Sequence, residues 1–263
     1  MRRVPARFDA CDKVCHEPRM TAPRHLLSRD GLLRTDSLRL AVIDAPWPLA
    51  VENTAAIAAH FAHRQAANPS FFDGQVFVLR QLWRQGTHIE GVASLERFSS
   101  FLYWRDGRAG DAEALDGFGA ALVRSAEGHV LAIRASAGTL NAGRVYLPGG
   151  FIDARDRRAN GTIDMDASIA RELAEETGLD ARTLQRVPGY IVARYGRYCC
   201  FCVEFHSPLA ATDLREEMLC GIAREGDGEV ADVIVIRDEG DLAHYDVIDH
   251  ARLVIGSVLA AQR

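Results

Sequence analysis

The sequence predicts an α/β protein in two parts, a small α/β module over residues 37–112 and a larger α/β domain over 113–263. Three observations predict it. Apolar runs with period-two alternation recur along the chain, punctuated by turns rich in glycine and aspartate. Segments with helical spacing fall between these runs and not in one block, the order that layers helices on a sheet. Finally, 48% hydrophobic residues in a chain of 263 is ample for packed cores.

Residues 1–36 carry eight Arg/Lys against five Asp/Glu with little apolar periodicity, which predicts a flexible leader; Met20 is an alternative start. Within it, Cys11, Cys15 and His16 make half a zinc site, but no second pair completes it. LRLAVID (38–44) reads as a strand, and residues 51–67 as a helix ended by Asn68-Pro69, because the residue before proline avoids helical backbone. Phe71-Phe72-Asp73-Gly74 reads as a turn. QVFVLRQLW and THIEGVASL read as a hairpin around Arg84-Gln85-Gly86, and ERFSSFLYWRD follows, its Phe98, Phe101, Tyr103 and Trp104 expected in a core.

From about Leu115, GFGAALVRS and HVLAIRAS read as a second hairpin around Glu127-Gly128, leading into RVYLPGGFI. After an acidic helix come VPGYIVAR and RYCCFCVEF around Gly196, a helix near 210–224, the strand EVADVIVIR, and a closing helix from about His244 to Ala261. Cys199, Cys200 and Cys202 fall on one of these strands, where small thiols serve packing.

The segment RELAEETGL (171–179) points to chemistry. A helix turns 100° per residue, so Glu172, Glu175 and Glu176 crowd one arc while Leu173 and Thr177 face away. Like charges three and four apart repel by a few tenths of a kcal/mol each, so helix stability does not ask for this arrangement. A divalent cation removes the repulsion. Arg171, one turn before Glu175, can hold a carboxylate, Gly178 stops the helix, and Gly149-Gly150 lets backbone turn toward an ion without a side chain in the way.

Leu147-Pro148-Gly149-Gly150 with Arg171–Leu179 resembles the box of the Nudix hydrolases: a glycine, five residues, a Glu, seven residues, then Arg-Glu-aliphatic-any-Glu-Glu-any-Gly-aliphatic. The second half matches throughout. Arg171 lies 21 positions after Gly150 where the pattern has fourteen, so seven residues are extra; the charged run Asp156–Gly161 reads as a surface loop holding them. Counting back eight from Arg171 gives Ile163 in place of the box Glu, and Asp164, Asp153 or Asp156 could stand in for it.

The resemblance implies a Nudix-type α/β/α sandwich around a mixed sheet, which binds Mg²⁺ or Mn²⁺ through Glu175, Glu176 and backbone at Gly149 or Gly150. Glu172 then binds metal or acts as base, and Arg171 orients the carboxylates. A further carboxylate is expected from Glu229 or Glu225. The implied reaction cleaves the pyrophosphate of a nucleoside diphosphate linked to another moiety, with a nucleotide sugar favoured and ADP-ribose, a dinucleotide or coenzyme A as alternatives. The N-terminal region, with Asn68-Pro69 and Phe71–Gly74, is similar to that of animal UDP-glucose pyrophosphatases, and a module there could cap the cleft. IRASAGTLNAGRVYLPGG resembles the signature of coenzyme A pyrophosphatases at Ser136, Gly143 and Pro148–Gly150. Thr139 replaces its Arg, leaving Arg134 or Arg144 to meet phosphate. A nucleotide-binding sensor without catalysis is the reading of another class.

The net charge of −5 excludes a polyanion scaffold as partner, and no apolar run approaches the roughly twenty residues of a membrane span. Residues 1–17 lack the apolar centre of a secretory signal, so a cytoplasmic protein with reduced thiols and a small-molecule partner is expected, with a homodimer left open.

Overall fold

A computed structural model describes residues 30–69, 71–139, 141–225 and 228–261, the side chain of Glu225 excepted. The half zinc site at Cys11, Cys15 and His16, the start at Met20 and most of the expected leader lie outside these residues.

The architecture is mixed α/β, as the alternation predicts. Strands β1 (Gly31–Thr35), β2 (Ser37–Ile43), β3 (Gln75–Gln85) and β4 (His88–Arg97), with helices α1 (Pro48–Glu52), α2 (Thr54–Ala67) and α3 (Phe98–Arg105), make up the first part. The second holds β5 (Asp116–Arg124), β6 (Val130–Ala135), β7 (Val145–Tyr146), β8 (Gly149–Phe151) and α4 (Met165–Thr177). It continues with β9 (Gln185–Arg186), β10 (Tyr190–Tyr195), β11 (Tyr198–His206), α5 (Ala211–Glu225), β12 (Val230–Ile236) and α6 (Asp249–Ala260).

The large sheet runs β1-β10-β11-β5-β6-β12, with β7 added on β6, β8 on β5 and β9 on β11. Its central pair, β11 with β5, is parallel, while β10 with β11 and β5 with β6 are antiparallel. Helix α4 packs on β5 and β8 through Met165, Ile169 and Leu173, four residues apart each, and α5 lies beside it. On the opposite face, α6 buries Ala251, Val254, Ile255 and Val258 against β10 and β11. Three layers result. Cys199, Cys200 and Cys202 are wholly buried in β11, and burial pushes the Cys199 thiol up to about 12, which suits packing and not reactivity.

The small sheet, β2-β4-β3, is joined to the large one along both edges. At the β3 edge, Phe77 N–H donates to the Ile152 carbonyl and Leu79 pairs with Leu115; at the β2 edge, Ile163 N–H donates to Leu40 O and Val42 N–H to Gly161 O. Alternation along β3 sends Phe77 and Leu79 into the core shared with the large sheet, and Val76 and Val78 into a second core with Trp47, Phe98, Phe101 and Trp104. Tyr103 is only partly buried.

Several expectations need correction. Gly31–Thr35, read as leader, is an edge strand, because it pairs with β10 at Gly31 opposite Arg194, a partner too distant in sequence to be read locally. Residues 98–105, for which the sequence assigns no element, form a helix whose rings pack on Phe61, Phe71 and Phe151. The helix expected over 51–67 is interrupted at Asn53, and the closing helix begins at Asp249, with Asp241–His244 a separate 3₁₀ turn. Of the run expected as a surface loop, Asp156–Gly161, residues 157–160 are exposed, whereas Asp156 is buried and Gly161 leads into 161–163, which extend the small sheet. Among the described residues no helix is long and apolar enough to cross a membrane.

Helices α4 and α5 touch where both lack side chains. A Cβ at Gly221 would lie 2.3 Å from the Thr177 carbonyl oxygen, and one at Gly178, which has φ of 72°, would lie 2.5 Å from Gly221 Cα. Gly221→Ala should therefore cost about 1–3 kcal/mol of stability through overpacking, read from the urea midpoint, with an unchanged m-value.

Candidate active site

Helix α4 is held at both ends. Asp164 caps it by accepting from Ala167 N–H, and Gly178 closes it in left-handed backbone. Its polar arc then faces β8, where pairing with β5 at Gly119 opposite Gly150 presents two glycines to the carboxylates. Glu176 Oε2 accepts from Gly149 N–H at 2.6 Å and Oε1 from the Tyr146 hydroxyl at 3.1 Å. Glu172 lies so close to Gly150 that a Cβ there would stand 2.2 Å from its Oε2.

Arg171 ties the cluster together. Its guanidinium donates to both carboxylate oxygens of Asp156 at 3.1 Å, to Glu172 Oε1 at 2.5 Å and to Glu175 Oε2 at 3.4 Å. Asp156 is buried and also accepts from Asp153 N–H and the Ser168 hydroxyl. Asp156 therefore occupies the place of the box Glu. Counting forward from Gly150 reaches it after five residues, so the extra segment is 157–163. Counting back from Arg171 crosses that segment and lands on Ile163, a buried apolar residue that only mimics a lost acid. Asp164 is the helix cap paired with Arg158, and Asp153 is held by Arg155 beside the cluster.

The cleft above these residues encloses about 700 Å³. Glu172, Glu175, Glu176, Asp153 and Gly150 line it, together with Glu229 from the opposite side and Asn68, Phe71, Phe72 and Phe98 from the first part of the chain. Phe72 is 81% exposed at the rim. Among sequence-derived candidates, Glu229 reaches the cleft, and Glu225 ends α5 with a side chain outside the described residues. Arg134 does not line it; its guanidinium lies over Tyr245. Arg144 faces a neighbouring pocket instead. Sequence reasoning missed Tyr146 and Arg155: the first is a lone aromatic, the second sits in an unremarked charged run.

The electrostatics suit a cation. Burial, with Glu175 and Asp156 nearby, pushes Glu172 up to about 7 despite Arg171. Burial, then Glu172 and Glu229, raises Glu176 well above the usual carboxylate range, against the pull of Gly149 N–H and Tyr146. Among the described residues no three carboxylates already converge as a ready metal cage. The donor set nevertheless fits a hard divalent ion, because it consists of carboxylate oxygens whose mutual repulsion such an ion relieves.

The NUDIX domain family model matches residues 115–240. Residues 115–240 carry a Nudix domain. No curated protein matches the sequence. Among solved structures, a MutT protein from Methanosarcina mazei is 19% identical, with 57% of this chain and 96% of that one covered at a TM-score of 0.40. The Nudix domain of Shewanella oneidensis NrtR, complexed with ADP ribose, is 16% identical over 62% of this chain and 97% of that one, TM-score 0.40. A C. elegans Ap4A hydrolase in a binary complex is 14% identical over 55% and 94%, TM-score 0.36.

Two outcomes follow from this geometry. Removing Asp156 takes one carboxylate from Arg171 and the acceptor from Asp153 N–H and the Ser168 hydroxyl, so Asp156→Ala should cost about 2–4 kcal/mol in denaturant unfolding, whereas Asp164→Ala, which removes a cap, should cost about 1 kcal/mol. Raised carboxylate pKa values mean that the folded state binds protons more tightly than the unfolded chain. The contribution of Glu172 is present below about pH 4.5 and is lost as pH rises through about 7. Calorimetry on the metal-free protein should show Tm falling over that window, Mg²⁺ restoring it at high pH, and Glu176→Gln flattening the slope.

Proposed function

We propose that the protein is a metal-dependent hydrolase that cleaves the pyrophosphate linkage of a nucleoside diphosphate joined to another moiety, with a nucleotide sugar as the favoured substrate. The observation that carries this is the placement of Glu172 and Glu176 against side-chain-free backbone at Gly149 and Gly150, with Glu175 lining the same cleft. A wall of aromatic residues from the first part of the chain rises beside them. That wall gives the cleft room for a second moiety beyond the diphosphate.

In this reading Glu175 and Glu176, with backbone at Gly150, hold Mg²⁺ or Mn²⁺, and Glu229 adds a carboxylate from across the cleft. Held by these residues, such an ion would supply positive charge beside the diphosphate. Glu172 takes the proton of the attacking water, and its affinity near 7 suits that task at neutral pH. Arg171, anchored on Asp156, fixes the direction in which Glu172 points. Tyr146 and Gly149 N–H hold Glu176 in the same way. Three buried, free thiols on β11, Cys199, Cys200 and Cys202, support a reducing, cytoplasmic setting.

The test is incubation with Mg²⁺ and a panel of nucleotide sugars, ADP-ribose, dinucleotides and coenzyme A, with released monophosphates measured. Turnover on at least one member, abolished by a chelator, is expected. Binding without turnover on any member would make the protein a sensor. Glu176→Gln should lower kcat by several kcal/mol of transition-state stabilisation, roughly 10²–10³-fold, with the fold preserved by circular dichroism.

A further inference from the structure

A second pocket, of about 200 Å³, opens on the other side of the Gly149–Phe151 strand. It shares Asn141, Tyr146, Gly149, Gly150 and Phe151 with the acidic cleft, so the glycines that meet Glu172 and Glu176 also form its rim. Its walls are ring faces. Phe118 and His250 meet at 4.7 Å, edge to face, and Tyr198 lies 6.2 Å from His250. Burial, reinforced by Arg144, pushes His250 down to about 4, so the imidazole is neutral at working pH and behaves as another aromatic surface.

At the base of this slot is Asp116, buried at 4% exposure. Among the described residues its carboxyl accepts no hydrogen bond. Arg105 and Arg197 approach closely enough to act through charge, but neither makes an ion pair with it, since the Arg197 guanidinium is spent on the Trp104 and Arg105 carbonyls. A buried carboxyl without donors is costly unless something supplies them. The ligand that would do so is narrowly defined. Inclined aromatic rings offer both edges and faces to a flat aromatic body. Arg105 and Arg144 on the walls balance Asp116 and Asp249, so a neutral group that carries donors matches the pocket's charge.

We propose that Asp116 selects the base of the substrate, favouring one that presents two adjacent N–H donors, as the guanine edge does, over uracil. Uracil offers a single N–H between two carbonyl oxygens, and these would face the carboxylate. Guanine offers N1–H and the 2-amino group side by side, a bidentate match for two carboxylate oxygens. A base seated here leaves its phosphates beside the Gly149–Gly150 backbone, over which the acidic trio is placed. The inference rests on the proposed function for the identity of the ligand as a nucleotide; the pocket itself is independent of the metal cluster.

The test has two arms, both at about pH 8 so that Asp116 is ionised. Calorimetric binding of GMP, AMP, CMP and UMP without metal should give GMP at least about tenfold tighter than UMP, the worth of one charge-assisted hydrogen bond. Asp116→Asn, which exchanges one acceptor for a donor, should reduce that ratio and improve AMP relative to GMP. Equal affinities, or no binding of any monophosphate, would overturn the proposal. In the second arm, hydrolysis of sugar diphosphates of the four bases with Mg²⁺ should follow the same order. Hydrolysis without base preference would overturn this inference and leave the proposed function standing. Selective GMP binding without hydrolysis would do the reverse.

Discussion

Two carboxylates pressed against backbone that carries no Cβ are the constraint on which the rest of this structure depends. Glu176 needs Gly149 N–H at hydrogen-bonding distance, and Glu172 needs the space that any side chain at Gly150 would fill. Meeting both demands requires β8 to lie on β5 in one register, and α4 to lie over β8 at one rotation and one height. The register comes from the ladder with Phe118–Ala120. The rotation comes from Ile169 and Leu173 in the core, and the height from the Asp164 cap and the contact between Gly178 and Gly221. Arg171 then offsets part of the repulsion among acids that no helix would choose to align.

The first part of the chain belongs to this arrangement and is more than an appendage. An exposed sheet edge invites pairing with other chains, and the three-stranded sheet has neither edge left bare. One is stitched to Ile152–Asp153 and Leu115, the other to 161–163. The same stitching places Phe71, Phe72 and Phe98 over the carboxylates, so closing the edges and walling the cleft are one structural act.

Much of this was legible in the sequence, and the boundary is physical. The acidic trio could be read because 3.6-residue periodicity is local, and the β5–β6 and β10–β11 hairpins because their turns are. The half-built box misled because spacing was counted through an insertion; the identity of Asp156 depended on which end one counted from. Strand β1 was illegible because its partner is Arg194, far along the chain. The core placement of Phe98, Phe101 and Trp104 was legible from their apolar rings, but the helix that carries them was not, because its packing on α2 is a tertiary contact. Tyr146, Asp116 and His250 carry no local signal at all, since each matters only through what folding brings beside it.

The seam at Leu40–Val42 has a consequence for how such a protein can be rearranged. The residues leading into α4, Gly161 to Ile163, are hydrogen-bonded to β2, more than a hundred residues earlier in the chain, so the entry to that helix is shaped by distant backbone partners. Transplanting the box into a foreign scaffold would leave those amides and carbonyls facing water or clashing surface unless β2 travelled with it. The helix and the distant strand thus form one folded unit, larger than the motif on the helix alone.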